Sequence, residues 1–468
     1  MCDDYSITNV IKTKKEINMK EKLLIFLTIL YMQTGMAQTN VLDSYIQEGF
    51  KNNSALKEKN FNLEKANAAL SESWGLFFPS VDLKSDYTWS KGVRKIDLPL
   101  GDLMNPVYST LNQLTSSTTF PQIQNQKVNF LPNDYQDTKL SLTLPIINTD
   151  VWLNNRIKSE SINQYESEVI SYKRELVKEI KIAYFNYLKS LKAVEIYSNA
   201  DSLLNDTYKL TESLVKNNVV LKSNLLKLKA DISNNQVDLS NAKNSSEITK
   251  SYFNFLLNKP FNSPIEIDSN LMDSDLKTIQ SLPVENKMSW AELNQLKSGI
   301  QQLEYFSAMK YGEFMPSLAF FYQAGFQGNQ YKFNSDQRYN LYGLTLSWNL
   351  FNGLQTKNRI QQADIEISKL ESKLDETQRQ LSLNLLSVSK NLKTAIKKLE
   401  SSKIGLEYSQ EYYRQTKLQY QQGQSILIEL TQSILGYTNS QLSYQISFMD
   451  VLIKQAETER AFESYQLF

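Results

Sequence analysis

The sequence predicts an α+β membrane protein that is internally duplicated, with very long coiled-coil-like helices and four membrane β-strands per protomer. Three observations support this fold class: few chain-breaking residues, short segments that alternate with period two, and motifs that occur twice. The 468 residues include only 14 Gly and 10 Pro, less than half of the roughly 7% and 5% found in average proteins. A fold with many turns is therefore not expected.

Long helices are predicted where these breakers are missing. Residues 146–259 contain neither Pro nor Gly, and no Pro follows Pro316. These stretches are rich in Lys, Glu, Gln, Leu and Ser, which is typical of helices. We predict helices over residues 151–217 and 354–422, and at 1.5 Å per residue each would be about 100 Å long.

Apolar residues in two of these stretches follow the 3/4 spacing of coiled coils. The two runs are Leu221, Leu225, Leu228, Ile232 and Leu239, and Leu427, Leu430, Ile434 and Tyr437. An ordinary packed helix remains possible for either run alone. Their matching places in the chain favour two helical hairpins of the same kind.

The chain contains an internal duplication, which is a primary feature to look for in a sequence. A G-x-F-x-P-S motif occurs at residues 75–80 and again at 312–317, 237 positions later. Three further motif pairs lie 202 or 203 positions apart, at residues 142–144 and 344–346, 155–157 and 358–360, and 223–228 and 425–430. We therefore expect a first repeat over 38–258, a linker over 259–288 and a second repeat over 289–468, with a long outer loop at 91–136.

Four segments alternate between apolar and polar residues, as half-exposed strands do. They cover residues 81–89, 140–144, 318–326 and 342–350. A soluble sheet could alternate in the same way, but the rest of the chain is committed to long helices that could not cover its apolar face. We therefore expect that face to meet lipid, and it comprises Val81, Leu83, Tyr87, Trp89, Leu140, Leu142, Leu144, Leu318, Phe320, Tyr322, Phe326, Tyr342, Leu344, Leu346 and Trp348.

The amino-terminal region resembles a secretory signal. Lys20 and Lys22 precede an apolar run, and small residues follow before Gln38, which is the order of a cleavable signal. We expect residues 1–37 to be a signal region with Met19 as the true start. The only cysteine, Cys2, would then be absent from the exported chain.

Composition argues against an enzyme and against nucleic acid as a partner. The chain has no His, one Cys and a net charge of +1. Histidine is the commonest general base and metal ligand, and nucleic-acid binding needs a basic surface. We expect no catalytic residues, no metal and no cofactor, and we interpret Glu175 and Glu179 as members of a solvated helical face.

In its motifs the chain resembles the outer-membrane efflux protein family, the TolC-like channels. The resemblance depends on the paired G-x-F-x-P-S motifs, on residues 344–353 leading into a long helix, and on Tyr420-Gln-Gln-Gly423 before the returning helix. It implies a homotrimer whose protomers give four strands each to a twelve-stranded barrel in the bacterial outer membrane, with a helical conduit in the periplasm.

The resemblance also implies a function and partners. The channel would be a passive exit for small molecules or proteins, in a tripartite efflux or type I secretion system. Its partners would be outer-membrane lipid, a periplasmic adaptor protein and an inner-membrane transporter of the RND, ABC or MFS type. The alternative is an exported coiled-coil stalk or adhesin without channel activity, which would explain the helices but not the four amphipathic strands.

Two sites at the helical hairpin tips follow from the resemblance. Gly423 is expected at one tip, and the 202-residue offset places Leu221 at the same point of the other, so Asn217 and Asn218 are the nearest turn formers. In the family, acidic side chains on the returning helix line the periplasmic aperture, and counting from Gly423 places Glu429 there, followed by the uncharged Gln432. The alternative is that Glu429 is an ordinary solvated residue.

Overall fold

The structure is a computed structural model that describes residues 41–92, 94–130, 133–268 and 290–467. The predicted signal region, with Met19 and Cys2, lies outside the described residues. So does the linker from residue 269 onward. The part of the linker before that point is described.

The described residues form eight helices and six strands. The helices are α1 (Val41–Asn52), α2 (Ser54–Gly75), α3 (Leu100–Thr115), α4 (Thr149–Lys216), α5 (Ser223–Leu256), α6 (Ala291–Gly312), α7 (Gln355–Gln421) and α8 (Leu427–Phe462). The strands are β1 (Ser80–Trp89), β2 (Lys95–Leu98), β3 (Gln126–Asn129), β4 (Asp134–Ile147), β5 (Ser317–Asn329) and β6 (Arg338–Ser347). Helices α4 and α7 have 68 and 67 residues, which confirms the prediction of two very long helices.

The chain divides into two compact units, and each contains segments of both repeats. The unit that we call the helical unit lies within residues 41–54, 173–268 and 384–467. The strand unit lies within residues 55–172 and 290–383. The units therefore do not coincide with the two sequence repeats.

An aromatic cluster forms part of the core of the helical unit. Tyr45 meets Phe253 edge to face at 5.1 Å, and Tyr184 is fully buried beside both rings. The hydroxyls of Tyr45 and Tyr184 accept hydrogen bonds from the linker. The Glu266 amide donates to Tyr45 Oη at 2.8 Å, and the Asp268 amide donates to Tyr184 Oη at 3.0 Å. The described start of the linker is thus attached to this core.

The strand unit contains a four-stranded antiparallel sheet in the order β1-β4-β5-β6. The four strands confirm the predicted fold class, although most of their bounds differ from prediction. Strand β4 begins at Asp134, because the whole of β1 pairs with it. The alternating pattern identified only residues 140–144, the part of this strand that carries apolar side chains. Strand β6 ends at Ser347, which pairs with Ser317, the first residue of β5. No residue of β5 therefore remains to pair with Trp348 or Leu350.

The segment expected to be the long outer loop, residues 91–136, contains secondary structure. This segment contains α3 and a two-stranded ribbon of β2 and β3, and its last residues belong to β4. Pro106 lies inside α3, and it disguised the helix because proline normally interrupts one.

The register corrects the repeat alignment within the strands. Ser80 pairs with Thr143 in the first repeat, and Ser317 pairs with Ser347 in the second. Since Ser80 and Ser317 are equivalent in the G-x-F-x-P-S motif, Thr143 corresponds to Ser347, 204 positions later rather than 202. A shift of two residues leaves every side chain on the same face, so the alternating pattern could not reveal it.

Candidate functional site

The register brings the predicted lipid-facing residues of the sheet to one face. Val81, Leu142, Tyr322 and Tyr342 lie directly opposite one another across the four strands. Leu144, Phe320 and Leu344 form the next row. Trp348 lies just beyond β6, where its indole N–H donates to the Phe314 carbonyl at 2.9 Å. The other residues of the predicted set share this face by the same registers.

The opposite face of the sheet is largely polar. Its central row contains Asp82, Ser141 and Gln323 and ends at Leu341, and the next row includes Lys84 and Lys139. Lys139 Nζ lies 2.5 Å from Asp137, which also accepts a hydrogen bond from Tyr339 Oη at 3.1 Å. A sheet with one apolar and one charged face can separate lipid from water.

Two edges of this sheet are open. Among the described residues, β1 and β6 each pair with one strand only. Leu83 on β1 is 76% exposed and Tyr342 on β6 is 73% exposed, whereas Leu142 and Phe320 on the inner strands are half-buried. The edges therefore carry apolar side chains that the single chain leaves uncovered.

A polar network lies where β5 and β6 meet the helices. The Thr356 hydroxyl donates to Glu313 Oε2 at 2.7 Å and accepts from the Asn352 amide at 2.5 Å, and Lys310 Nζ donates to Glu313 Oε1 at 2.9 Å. The Thr356 hydrogen bond and the Lys310 charge hold the pKa of Glu313 below its ordinary value. A polar cavity of about 370 Å³ opens beside Glu313 and Arg359.

The helix in the outer loop turns its polar side toward its own chain. Asn105 pairs with both the N–H and the C=O of Ile123, at 2.8 and 2.9 Å, and Asn112 does the same with Phe120, at 3.0 and 2.8 Å. The apolar side is left exposed, as at Leu103 and Leu114. Helix α3 was not predicted, although Leu100, Leu103, Met104 and Val107 have helical spacing.

The two helical hairpin tips, both in the helical unit, share one backbone motif. Asn218 and Gly423 have φ of 57° and 73°, and the amides that follow them donate to Leu214 O at 2.9 Å and to Gln419 O at 2.8 Å. This is the Schellman ending of a helix. Asn218 is therefore the structural counterpart of Gly423, 205 positions earlier, while Asn217 lies one position before the left-handed residue.

The expected equivalence of Leu221 with Gly423 is therefore wrong, and so is the placement of Leu221 in an apolar seam. Leu221 lies before α5 and is 75% exposed. The physical reason is a longer turn at this tip. Ten positions separate Asn218 from the buried Leu228, whereas seven separate Gly423 from the buried Leu430.

Both tips contribute to one apolar cluster behind the turns. It contains Leu204, Leu228, Tyr420, Leu427, Leu430 and Ile434, with Ile232 and Tyr413 packed against it. The Tyr420 hydroxyl lies 2.9 Å from Thr211 Oγ1. Since that Thr hydroxyl donates to Thr207 O at 2.8 Å, it must accept from Tyr420. This buried hydrogen bond joins α4 to α7, and no sequence pattern predicts it.

Glu429 and Gln432 are both exposed on the first turns of α8. The Ser425 hydroxyl donates to Glu429 Oε2 at 2.6 Å. An acidic residue in the first turn also interacts favourably with the positive end of the helix dipole. Glu429 therefore stabilises the first turn of α8.

The paired carboxylates on α4 do not form the solvated face that we expected. Glu175 binds Lys178 and accepts from Arg460 Nε at 3.3 Å, and burial together with Glu175 raises the pKa of Glu179. The packing of α8 against α4 places Arg460 here, which the sequence could not show. Among the described residues, no group of three or more His, Cys, Asp or Glu could hold a metal ion, and no described helix is long and apolar enough to cross a membrane.

Comparison with known proteins agrees with this arrangement. Residues 308–437 match the family described as "Outer membrane efflux protein", while no curated protein matches the chain by sequence. The outer-membrane channel OprN superposes with a TM-score of 0.74 at 13% identity, over 90% of this chain and 89% of that one. VceC from Vibrio cholerae matches with a TM-score of 0.70 at 13% identity, over 90% and 95% of the two chains.

A third similar structure is the open state of the MtrE outer membrane channel of Neisseria gonorrhoeae. It matches with a TM-score of 0.70 at 12% identity, over 90% of this chain and 88% of that one. Superpositions at such low identities establish the fold alone. The described chain therefore has the fold of outer-membrane channels, and residues 308–437 carry the sequence features of the outer membrane efflux protein family.

Proposed function

We propose that three copies of this chain form an exit channel in the bacterial outer membrane. The observation that carries the proposal is the four-stranded sheet with one apolar face, one charged face and two open edges. In lipid, each unpaired backbone group costs several kcal/mol, so membrane sheets are closed barrels. Four strands are too few for such a barrel, and three copies supply twelve.

The chain serves as a passive conduit for small molecules or proteins. In this proposal an inner-membrane transporter of the RND, ABC or MFS type drives export, as the resemblance to the efflux family implies. A periplasmic adaptor connects the two at the hairpin tips. Exposed apolar side chains at both tips, Val219, Leu221, Ile426 and Ile428, support docking there.

Glu429 lines the periplasmic aperture in this proposal. Threefold symmetry would bring three carboxylates around one axis, where like charges attract cations. In planar bilayers, Glu429→Gln should reduce cation selectivity or block by multivalent cations, with unchanged trimer yield. Ser425→Ala is the matched control, because it removes the hydrogen bond to Glu429 and keeps the charge. Equal selectivity in all three proteins would leave Glu429 with its helix-starting role alone.

The channel itself is tested by extraction and conductance. We expect the protein to need detergent for extraction, to have the mass of a trimer by light scattering, and to open pores in planar bilayers. An exported stalk or adhesin would be extracted without detergent and would give no conductance. That result would overturn the proposal.

A further inference from the structure

In the proposed trimer, the open edges of the sheet meet, so that β6 of one copy pairs antiparallel with β1 of the next. We infer the register of this pairing, with Thr345 opposite Asp86 and Tyr342 opposite Trp89. This inference rests on the proposed trimeric channel and adds the register of its interface. In this register, the numbers of any two residues that lie opposite each other add up to 431.

The template for this interface lies inside the chain. In the order β1-β4-β5-β6, strands β1 and β4 belong to the first repeat and β5 and β6 to the second. The pairing of β4 with β5 therefore joins a first repeat to a second repeat. Around a barrel of alternating repeats, the next junction of this kind joins β6 to β1 of the neighbouring copy.

The repeat equivalences transfer the register from one junction to the other. The G-x-F-x-P-S motifs relate β1 to β5 by 237 positions, and the strand pairing relates β4 to β6 by 204. In the template, Ser141 lies opposite Gln323. Adding 204 to the first residue gives Thr345, and subtracting 237 from the second gives Asp86.

The chemistry of the two edges fits this register. It places Leu344 opposite Tyr87 and Tyr342 opposite Trp89 on the apolar face, and Ser347 opposite Lys84 on the polar face. Trp348, beyond the end of β6, lies opposite Leu83, so the neighbouring β1 supplies the partner that β5 does not.

Both edges are also built to be paired. Soluble proteins often protect edge strands with Pro or bulges, yet β1 and β6 contain no Pro. Their pairings with β4 and β5 are regular, whereas the pairing of β4 with β5 is irregular at Pro145.

The glycine of the G-x-F-x-P-S motif, Gly75 and Gly312, also indicates that the first repeat meets the second repeat of another copy. A Cβ on Gly312 would lie 2.4 Å from Thr149 Oγ1, whereas its counterpart Gly75 has open space around it in the single chain. The glycine of the second repeat faces the first repeat of its own chain. By the same symmetry, the glycine of the first repeat faces the second repeat of another copy.

Disulfide cross-linking tests the register. In a Cys2→Ser background, Thr345→Cys is combined with Asp86→Cys, and the purified trimer is oxidised with copper phenanthroline. Directly opposite residues lie about 4.5–5.5 Å apart, within the Cα range of a disulfide, whereas residues displaced by two lie about 7–8 Å apart. We expect the Asp86 pair to give covalent dimers and trimers in denaturing gels about tenfold faster than Thr345→Cys combined with Lys84→Cys or Thr88→Cys.

The in-chain template provides the positive control. Ser141→Cys with Gln323→Cys should form an intramolecular disulfide at a rate similar to that of the Asp86 pair. Trimers that cross-link fastest through Lys84 or Thr88, or through none of the three positions, would overturn the register and leave the trimeric channel standing. A protein that forms no trimers by light scattering before oxidation would instead overturn the channel proposal, and the pairing with it.

Discussion

A charge on the apolar face of the sheet should prevent stable insertion, and Leu142 is the most informative position. Leu142 lies on an inner strand, directly opposite Val81 and Tyr322. It is five residues from the end of β4 at Ile147, about 16 Å along the strand, or about 12 Å of depth at a tilt near 45°. That is the middle of an apolar band about 25 Å tall.

At this depth an arginine costs about 2–4 kcal/mol, which is roughly a 30- to 700-fold loss in the folding equilibrium. Leu142→Arg is therefore expected to lower the free energy of unfolding in liposomes by this amount, measured by urea titration, and to reduce the trimer yield. The matched control is Ser141→Arg, on the polar face of the same strand. There the new guanidinium lies opposite Asp82, and the free energy should change by about 0.5 kcal/mol or less.

Equal folding of Leu142→Arg and Ser141→Arg would contradict the assignment of the apolar face to lipid. Equal losses of about 2–4 kcal/mol would mean that the sheet is in lipid on both faces or is simply intolerant of arginine. No loss in either variant would mean that neither face meets lipid. A loss confined to Ser141→Arg would invert the assignment of the faces.

Three further predictions concern the hairpin tips and the helix–strand junction. Tyr420→Phe should lower the free energy of unfolding by about 0.5–1.5 kcal/mol, and Thr211→Val by about 1–3 kcal/mol because it leaves a buried phenol unpaired; a double-mutant cycle in urea without coupling would contradict the hydrogen bond. Asn218→Val should cost about 1–2 kcal/mol because of its left-handed backbone, while Asn218→Gly and the control Asn217→Val should cost clearly less in thermal unfolding. The pKa of Glu313 is depressed from near 4.5, so its stabilising contribution is present above pH 4.5 and is lost as the pH falls through the lower folded value. The stability gap between wild type and Glu313→Gln should therefore be constant at neutral pH and vanish in acid, and a gap that widens in acid would contradict this sign.

Several features of the fold could be predicted because they depend on local pattern. Neither Pro nor Gly occurs between residues 149 and 216, and α4 extends over these 68 residues without a break. Alternation assigned the faces of the strands, and Leu142 and Tyr322 were placed together on one face without knowledge of their pairing. The left-handed residue at the first tip could be narrowed to Asn217 or Asn218 from turn chemistry alone.

Other features depended on partners that are distant in sequence. A strand register that slips by two residues keeps each side chain on its face, so only the pairing of Ser317 with Ser347 could correct the repeat offset from 202 to 204. The buried bond between Thr211 and Tyr420 joins residues 209 positions apart, and no local pattern encodes it. The length of the helices and the two faces of the sheet were thus predictable, because both follow from local residue pattern. The register, the tip contacts and the helix around Pro106 became apparent only in the folded chain, because each depends on which groups are brought together in space.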